Sequence, residues 1–385
     1  MSRTVVSGMS IVSCLGDDLD QVWEKLCRGE TGIRPVTIFD TSRCRTNSAG
    51  ETLNRFPSDS LDRMVSIAAA GILKALHHAG VDLEYVQTAR SALIIGTSLG
   101  HLFENESGPV NFDHFMSRVK EELKLSIPSL LISSACSSGT DALAKGTDFI
   151  EFLQYDLIIG GGVDVLDIYK MLGHSSLHTL SPTICKPFDA MSDGTSLGEG
   201  AGFMILESER SNALRKGRML AEVSGRSNTT DTSSVTAPDP NGTGAIRVIK
   251  QALQQSGFER SQVAYVNAHG SGTPTNDAME SVTYSSLFQH SSPAISSTKA
   301  AFGHTLGATG AIEAIVAVLA LMNQEAPPTA NSTNIHESWE SLNVVLGSKP
   351  VQLVEPQLAL SVTYGFGGAN GCMVFSRPTI ENECR

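Results

Sequence analysis

Four short segments of this 385-residue sequence hold residues whose types and spacing could do covalent chemistry. The first is Ser133-Ser134-Ala135-Cys136-Ser137-Ser138-Gly139-Thr140-Asp141, which follows the apolar Leu130-Leu131-Ile132 and leads into a helix expected to start near Gly139. A cysteine on such a strand-to-helix turn meets the positive end of the helix dipole, which favours thiolate. The second is Val266-Asn267-Ala268-His269-Gly270-Ser271-Gly272-Thr273-Pro274, with a histidine at a strand's end in a loop too rich in glycine for bulk core. Loops at strand ends are where α/β folds carry function. The third, Ser297-Thr298-Lys299-Ala300-Ala301-Phe302-Gly303-His304-Thr305-Leu306-Gly307, brings a lysine and a histidine to the glycine-rich start of a helix carrying Glu313. It lacks the Gly-Lys-Ser/Thr ending of a phosphate loop. The fourth, Thr363-Tyr364-Gly365-Phe366-Gly367-Gly368-Ala369-Asn370-Gly371, runs a strand into backbone almost bare of side chains. Such backbone can aim N–H groups at a developing oxyanion. Singly, each segment has a plain reading: a buried thiol, a structural histidine, a surface lysine, a turn.

The elements that must position these loops alternate between short β-rich runs and helical patterns, the mark of an α/β fold with buried parallel strands. Strands are expected at 4–8, 92–96, 156–162, 202–206, 263–268, 294–296 and 358–363, and helices at 19–28, 61–79, 244–255 and 308–322. Arg90-Ser91-Ala92-Leu93-Ile94-Ile95-Gly96, followed by the turn Thr97-Ser98-Leu99-Gly100, is echoed weakly by Arg260-Ser261-Gln262-Val263-Ala264-Tyr265-Val266 and the turn His269-Gly270-Ser271-Gly272. The repeat implies two similar halves, 1–235 with the cysteine and 236–385 with the histidines and lysine. The Ser/Thr/Asp/Pro-rich stretch 224–239 joins them.

Composition narrows the options. With 28 Lys+Arg against 40 Asp+Glu the formal charge is −12, which argues against nucleic acid as a partner but permits an acidic protein on a local basic patch. A charged fraction of 18% and an apolar fraction of 41% exclude intrinsic disorder. Seven scattered cysteines without a CxxC pair read as reduced thiols. No apolar run nears the roughly 18 residues of a membrane span, and 314–322 reads as buried helix. Ile11-Val12-Ser13-Cys14 lacks the basic and apolar leader of a lipoprotein signal, so a cytoplasmic protein is expected. His174, His178 and Cys185 imitate a zinc set, but no fourth ligand is evident and the segment looks loop-like, so no metal is expected. His77-His78 ends an amphipathic helix, and Asn228-Thr229-Thr230 and Asn331-Ser332-Thr333 are sequons without meaning in that compartment.

The set of one cysteine, two histidines and one lysine, in or beside glycine-rich loops, resembles the β-ketoacyl-acyl-carrier-protein synthases of the thiolase superfamily. The likeness runs from Val5-Val6-Ser7-Gly8 and Gly29-Glu30-Thr31-Gly32-Ile33 through the cysteine segment, then Lys186-Pro187-Phe188-Asp189, Asp193-Gly194 and Gly198-Glu199-Gly200-Ala201-Gly202, to the histidine loops and the terminal Gly365–Gly371 motif. It implies a five-layered αβαβα fold made of two duplicated βαβαβαββ halves. It implies that Cys136 takes an acyl chain as a thioester from the phosphopantetheine arm of an acyl carrier protein, with no bound cofactor. His269 and His304 then promote decarboxylation of malonyl-carrier protein, and the carbanion adds two carbons. The N–H groups of Cys136 and Phe366 form the implied oxyanion hole, Phe366 is the gating aromatic, Lys299 organises the histidines, and Glu313, Thr273 and Asp277 support them.

Four departures stand out: Ser271 for a usual threonine, Phe302 before Gly303-His304, Gly194-Thr195-Ser196-Leu197 where an aromatic is usual near the acyl channel, and a shortened stretch from 100 to 133. With Ser138-Gly139-Thr140-Asp141-Ala142, the last of these points toward the ketosynthase subunit of a type II polyketide or polyene system. The resemblance also implies a dimer, either with a second copy or with a chain-length-factor-like subunit. Arg63, Arg118, Lys120 and Lys124, with Arg215 and Lys216, are candidate docking residues for the acidic carrier protein. The alternatives are a non-elongating, chain-length-setting partner subunit and a starter-unit acyltransferase of the same fold.

Overall fold

The computed structural model describes residues 3–53, 56–98 and 112–378. Leu99-Gly100, the start of the shortened stretch and Cys384 lie outside the described residues. Ten strands form the main sheet system: β1 Thr4–Val12, β2 Ser91–Gly96, β3 Ser129–Ile132, β4 Leu157–Asp164, β5 Gly200–Ser208, β6 Ala221–Thr230, β7 Val263–Asn267, β8 Ala294–Ser296, β9 Leu358–Tyr364 and β10 Ala369–Ser376. The helices used below are α1 Leu19–Cys27, α2 Ser60–Ala79, α3 Phe112–Glu122, α4 Ser138–Leu153, α5 Ile168–Ser176, α6 Thr243–Ser256, α7 Pro274–Leu287 and α8 Thr309–Asn323. Across the sheet the strands run β8-β7-β9-β10-β6-β1-β5-β4-β2-β3. Read outward from the β6/β1 seam, each half has the same order: first, fifth, fourth, second, third. The parallel and antiparallel pairs also correspond. The echoed segments 90–96 and 260–266 are thus the second strands of two copies of one topology, and β6 opens the second copy.

Period-two alternation shows how the layers bury both faces of these strands. In β2, Leu93 and Ile95 face an apolar cluster under α2 and α3, while Ala92 and Ile94 face a central cluster shared with α4 and α8. In β9, Leu358, Leu360 and Val362 pack with α6 and α7, while Ala359 joins the central cluster. Three apolar clusters therefore separate five layers, with α4 and α8 in the middle. These two helices touch through backbone. A Cβ on Gly310 would fall 2.0 Å from Thr140 Oγ1, and one on Gly139 would fall 2.8 Å from the Ala311 nitrogen.

Three sequence expectations change. The stretch 224–239 is not simply a connector: Ala221–Thr230 is a core strand paired with β1 and β10, and its polar composition hid it. The segment holding His174 is helix α5, capped by Asp167 accepting from the Lys170 N–H, not loop. The apolar run is also longer than 314–322. Leu306–Asn323 has mean hydropathy 1.7 and the length to cross a membrane, yet 89% of it is buried inside the protein as the central helix.

Candidate active site

Cys136 lies in the tight turn between β3 and α4. Ala135 before it has φ 54, a left-handed conformation strained for any residue with a Cβ, and Ser134 and Cys136 close a bridge around it. Asp141, in the first turn of α4, holds the turn by accepting from Ser137 Oγ at 3.1 Å and from the side chains of Ser134 and Asn228. Cys136 as a residue is 7% exposed. Burial pushes its thiol up to about 11, against the opposing Lys299 charge and the Phe366 N–H. That direction is opposite to the thiolate expected from the helix start: desolvation favours the neutral thiol.

His269 follows β7, and its loop hangs on Glu280 of α7. The carboxylate accepts from the N–H groups of His269 (3.0 Å) and Gly270 (2.6 Å), from Asn276 Nδ2 (2.7 Å) and from the Tyr284 hydroxyl (2.8 Å). His304 is held by backbone, donating to Ser196 O (2.7 Å) and accepting from Gly198 N–H (2.9 Å). The Tyr364 N–H donates to Nδ1 of His269 at 3.3 Å, and the Leu306 N–H to Nδ1 of His304 at 3.2 Å. An amide N–H can only donate, so in both neutral rings the proton sits on Nε2. Burial, with the Lys299 charge, holds both well below the ordinary histidine range. The two rings stand edge to face, 5.4 Å apart. The result is a pair of neutral N–H donors.

Behind them, Lys299 is fully buried, ion-paired to Glu313 and donating to the His269 carbonyl. Burial raises the Glu313 carboxyl to about 7 despite that partner. Thr363 links Glu313 (3.5 Å) to Thr140 of α4 (3.1 Å), tying the lysine back to the cysteine's helix. On the other side of the sulfur, β9 runs into Gly365-Phe366. A Cβ on Gly365 would sit 3.2 Å from the Cys136 nitrogen, so glycine leaves that amide uncovered beside the Phe366 N–H.

Cys136, His269, His304, Phe366 and Thr273 line one cavity of about 290 Å³. Lys299 and Glu313 are packed behind it. Asp277 is buried and braces the loop, accepting from the N–H groups of Phe188 (2.9 Å) and Gly272 (3.2 Å); burial raises its carboxyl to about 6. The docking set fares differently. Arg63 is a correction: it is 3% exposed and ion-paired to buried Glu199, so it cannot meet a partner. Arg118 is part-exposed and paired with Asp62 at 2.8 Å, Lys120 is half-buried and Lys124 is exposed. Arg215 is largely enclosed with Glu207, whereas Lys216 is exposed.

Sequence reasoning missed three contributors. Glu280 was unmarked because α7 was unread, although Asn276, Glu280 and Tyr284 at four-residue spacing are a helical polar stripe. Asp164, ending β4, accepts from the N–H groups of Gly307 and Ser98, both at 3.0 Å, and from Lys170 Nζ at 2.6 Å; it pins the loop after His304. His174 stacks on Phe366 with ring centroids 5.8 Å apart. His178 pairs instead with Arg45, and Cys185 with Ser271 O. Among the described residues no group of three or more His, Cys, Asp or Glu could hold a metal.

Residues 1–212 match the N-terminal domain and residues 220–333 the C-terminal domain of beta-ketoacyl synthase. The chain belongs to the β-ketoacyl synthase family. Among curated relatives, 3-oxoacyl-[acyl-carrier-protein] synthase 2 of Vibrio cholerae is 30% identical over 97% of this chain and 99% of that protein. The Synechocystis enzyme of the same name is 31% identical over 97% and 98%. Among solved structures, the ishigamide ketosynthase/chain length factor superposes with a TM-score of 0.91 at 27% identity, covering 98% of this chain and 99% of that one. A beta-ketoacyl synthase from Burkholderia phymatum gives 0.86 at 25% identity, over 98% and 100%. These neighbours share the thiolase-type fold, and the ketosynthase is an acyl-transferring, condensing enzyme.

Proposed function

We propose that this ketosynthase extends an acyl chain held on Cys136 by decarboxylative condensation with malonyl-acyl carrier protein. The observation that carries the proposal is the shared cavity, in which the thiol, two neutral Nε2–H donors and the Cys136 and Phe366 backbone amides converge. In acylation the Cys136 sulfur replaces the pantetheine sulfur on the acyl carbonyl, and because burial keeps the resting sulfur protonated, its proton passes to the departing pantetheine thiolate. Carbon dioxide departs from the malonyl group, and the charge left on the thioester oxygen meets the His269 and His304 donors. The resulting carbanion attacks the Cys136 thioester, whose oxygen takes up negative charge beside the backbone amides. Collapse releases the sulfur and yields a β-ketoacyl product longer by two carbons. The half before β6 supplies the nucleophile, and the half that β6 opens supplies the donors and the lysine. Lys299, Glu313 and Asp277 act by positioning.

The substrates arrive on the phosphopantetheine arm of a carrier protein. Arg118, Lys120 and Lys124, without Arg63, are the proposed docking charges. The edge strand β3, with Leu130 38% exposed, is the proposed contact to a second copy or to a chain-length-factor-like subunit. The sequence departures described above, with the resemblance to a ketosynthase/chain length factor, support a polyketide or polyene role, and the proposed compartment is the cytoplasm. A complete cysteine–histidine set in one cavity speaks against a non-elongating partner subunit. Intact-protein mass spectrometry tests the reading. Acyl-carrier proteins of varied length should add their acyl mass to the wild type and not to Cys136→Ala, and malonyl-carrier protein should then remove it as the extended product. Failure of both steps with a partner subunit present rejects it.

A further inference from the structure

Four donors converge on one buried carboxylate behind the cavity. Asp164, fully buried at the end of β4, accepts at Oδ2 from the N–H groups of Ser98 and Gly307, both at 3.0 Å. Its Oδ1 accepts from the Val165 N–H at 3.1 Å and from Lys170 Nζ at 2.6 Å. Backbone amides and an ammonium can only donate, so the side chain must be an ionised, acceptor-only carboxylate. Lys170, in α5, is itself buried. Its Nζ also donates to the Val165 carbonyl at 2.6 Å and lies 3.5 Å from Asp167 Oδ2. Neither Lys170 nor Asp164 lines the cavity that holds the thiol.

The carboxylate joins the two segments that carry the chemistry. Gly307 follows Leu306, whose N–H fixes Nδ1 of His304 and whose φ of 49 is a strained, left-handed conformation. A Cβ on Gly307 would fall 2.3 Å from the Ser98 nitrogen, so the two backbones touch where Oδ2 bridges them. The Ser98 carbonyl in turn accepts from Ser133 Oγ at 2.6 Å, on the approach to Cys136. Full burial favours a neutral acid at such a place, and the ion pair with Lys170 counters it. We propose that Lys170 is a positioning residue for condensation: by keeping Asp164 ionised it holds the Gly307 and Ser98 amides, and with them the His304 donor, in register with the Cys136 thioester. The inference rests on the ketosynthase reading above.

Lys170→Met removes the cation and keeps much of the side chain's length. Asp164 then takes up a proton more readily, and the protonated acid turns a donor toward donors. Protonation is favoured as pH falls, so the loss is greater in acid. The other titratable groups around the pair stay in place: Asp167, His174, Cys136, and Glu199, which accepts from the Leu166 N–H and is ion-paired to Arg63. Single-turnover acylation by an acyl-carrier protein, read from intact mass, and condensation with malonyl-carrier protein are compared at pH 6.5 and 8.5. The cysteine turn has its own hold in Asp141, so acylation should change less than about twofold. Relative to acylation, condensation should fall about tenfold more than in the wild type at pH 6.5 and recover in part at pH 8.5. Lys170→Met/Asp164→Asn has no carboxylate there to titrate, and its loss should be similar at both pH values. A Lys170→Met ratio of condensation to acylation that keeps the wild-type pH profile overturns the proposal. So does an equal loss of both steps at both pH values, the mark of general destabilisation. Should the methionine variant not fold, Lys170→Gln also lacks the charge and is read by the same ratios. A wild type that gains no mass on Cys136 overturns the ketosynthase reading, whereas a wild type that condenses and a variant that shares its profile overturn this inference alone.

Discussion

The two halves share one strand order, yet the segments that follow their third strands are built for different tasks. In the first half the chain turns from β3 into α4 between Ile132 and Ser138, so tightly that Ala135 is forced to φ 54. That turn presents one atom, the Cys136 sulfur. In the second half the chain wanders from Ser296 to Thr309 before entering α8, with room for Lys299 in one short helical turn and His304 after it. A short strained turn fixes a nucleophile; a longer segment places a positioning charge and a proton donor at different depths. The glycine contacts between the starts of α4 and α8 set the distance between the two tasks. Duplication thus supplied a frame, and divergence of one loop supplied the chemistry.

The sharpest way to test this division is to remove one side at a time. Cys136→Ala should abolish acylation and lower condensation by at least about 10⁴-fold, since no other group can hold the acyl chain. His304→Ala or His269→Ala should lower condensation by about 10² to 10³-fold while acyl-Cys136 still accumulates. If acylation falls as far as condensation in the histidine variants, the two halves do not divide the work as proposed. Because both rings are held neutral far below pH 6.5, no loss from histidine deprotonation should appear as pH rises from 5.5 to 8.

The nucleophile's own titration is a third test. The free thiol is raised to about 11, so below that value the thiolate fraction grows tenfold with each pH unit. Alkylation of Cys136 in the substrate-free enzyme should therefore climb about a hundredfold from pH 7 to 9 without reaching a plateau. A plateau near pH 7, read from the mass of the modified protein, would show that the helix end outweighs burial after all.

What was legible in the sequence followed from local chemistry. Cys136, His269, Lys299 and His304 stand in or beside segments rich in glycine and small residues, and the apolar strands announce themselves by composition. What escaped depended on contacts between distant segments. Strand β6 reads as a polar connector because Ser224, Arg226 and Asn228 each find partners across the fold: Ser376, the acids of α4, and Asp141. Arg63 reads as a surface cation because nothing nearby in sequence reveals Glu199 as its partner. The sulfur's raised pKa is likewise a sum over burial and charges that no motif encodes.

Glu280 offers the finest test, because it touches no substrate and acts only through the His269 loop. All four of its partners donate to it, so the loop needs an acceptor-only carboxylate. Burial, reinforced by the Asp277 charge, raises its carboxyl to about 7. Below that pH the group gains a proton that points a donor at donors, and the loop loosens. Condensation in the wild type should therefore rise as pH climbs from 6 to 8. Glu280→Gln carries an amide in place of the acid and mimics the protonated form at every pH. It should lower kcat about threefold to tenfold at pH 8, less at pH 6, and flatten that rise, while acylation of Cys136 is unchanged. Glu313 titrates in the same range, but glutamine at 280 leaves it in place. A rise that survives the substitution would assign it to the Lys299–Glu313 pair and leave Glu280 a purely structural brace.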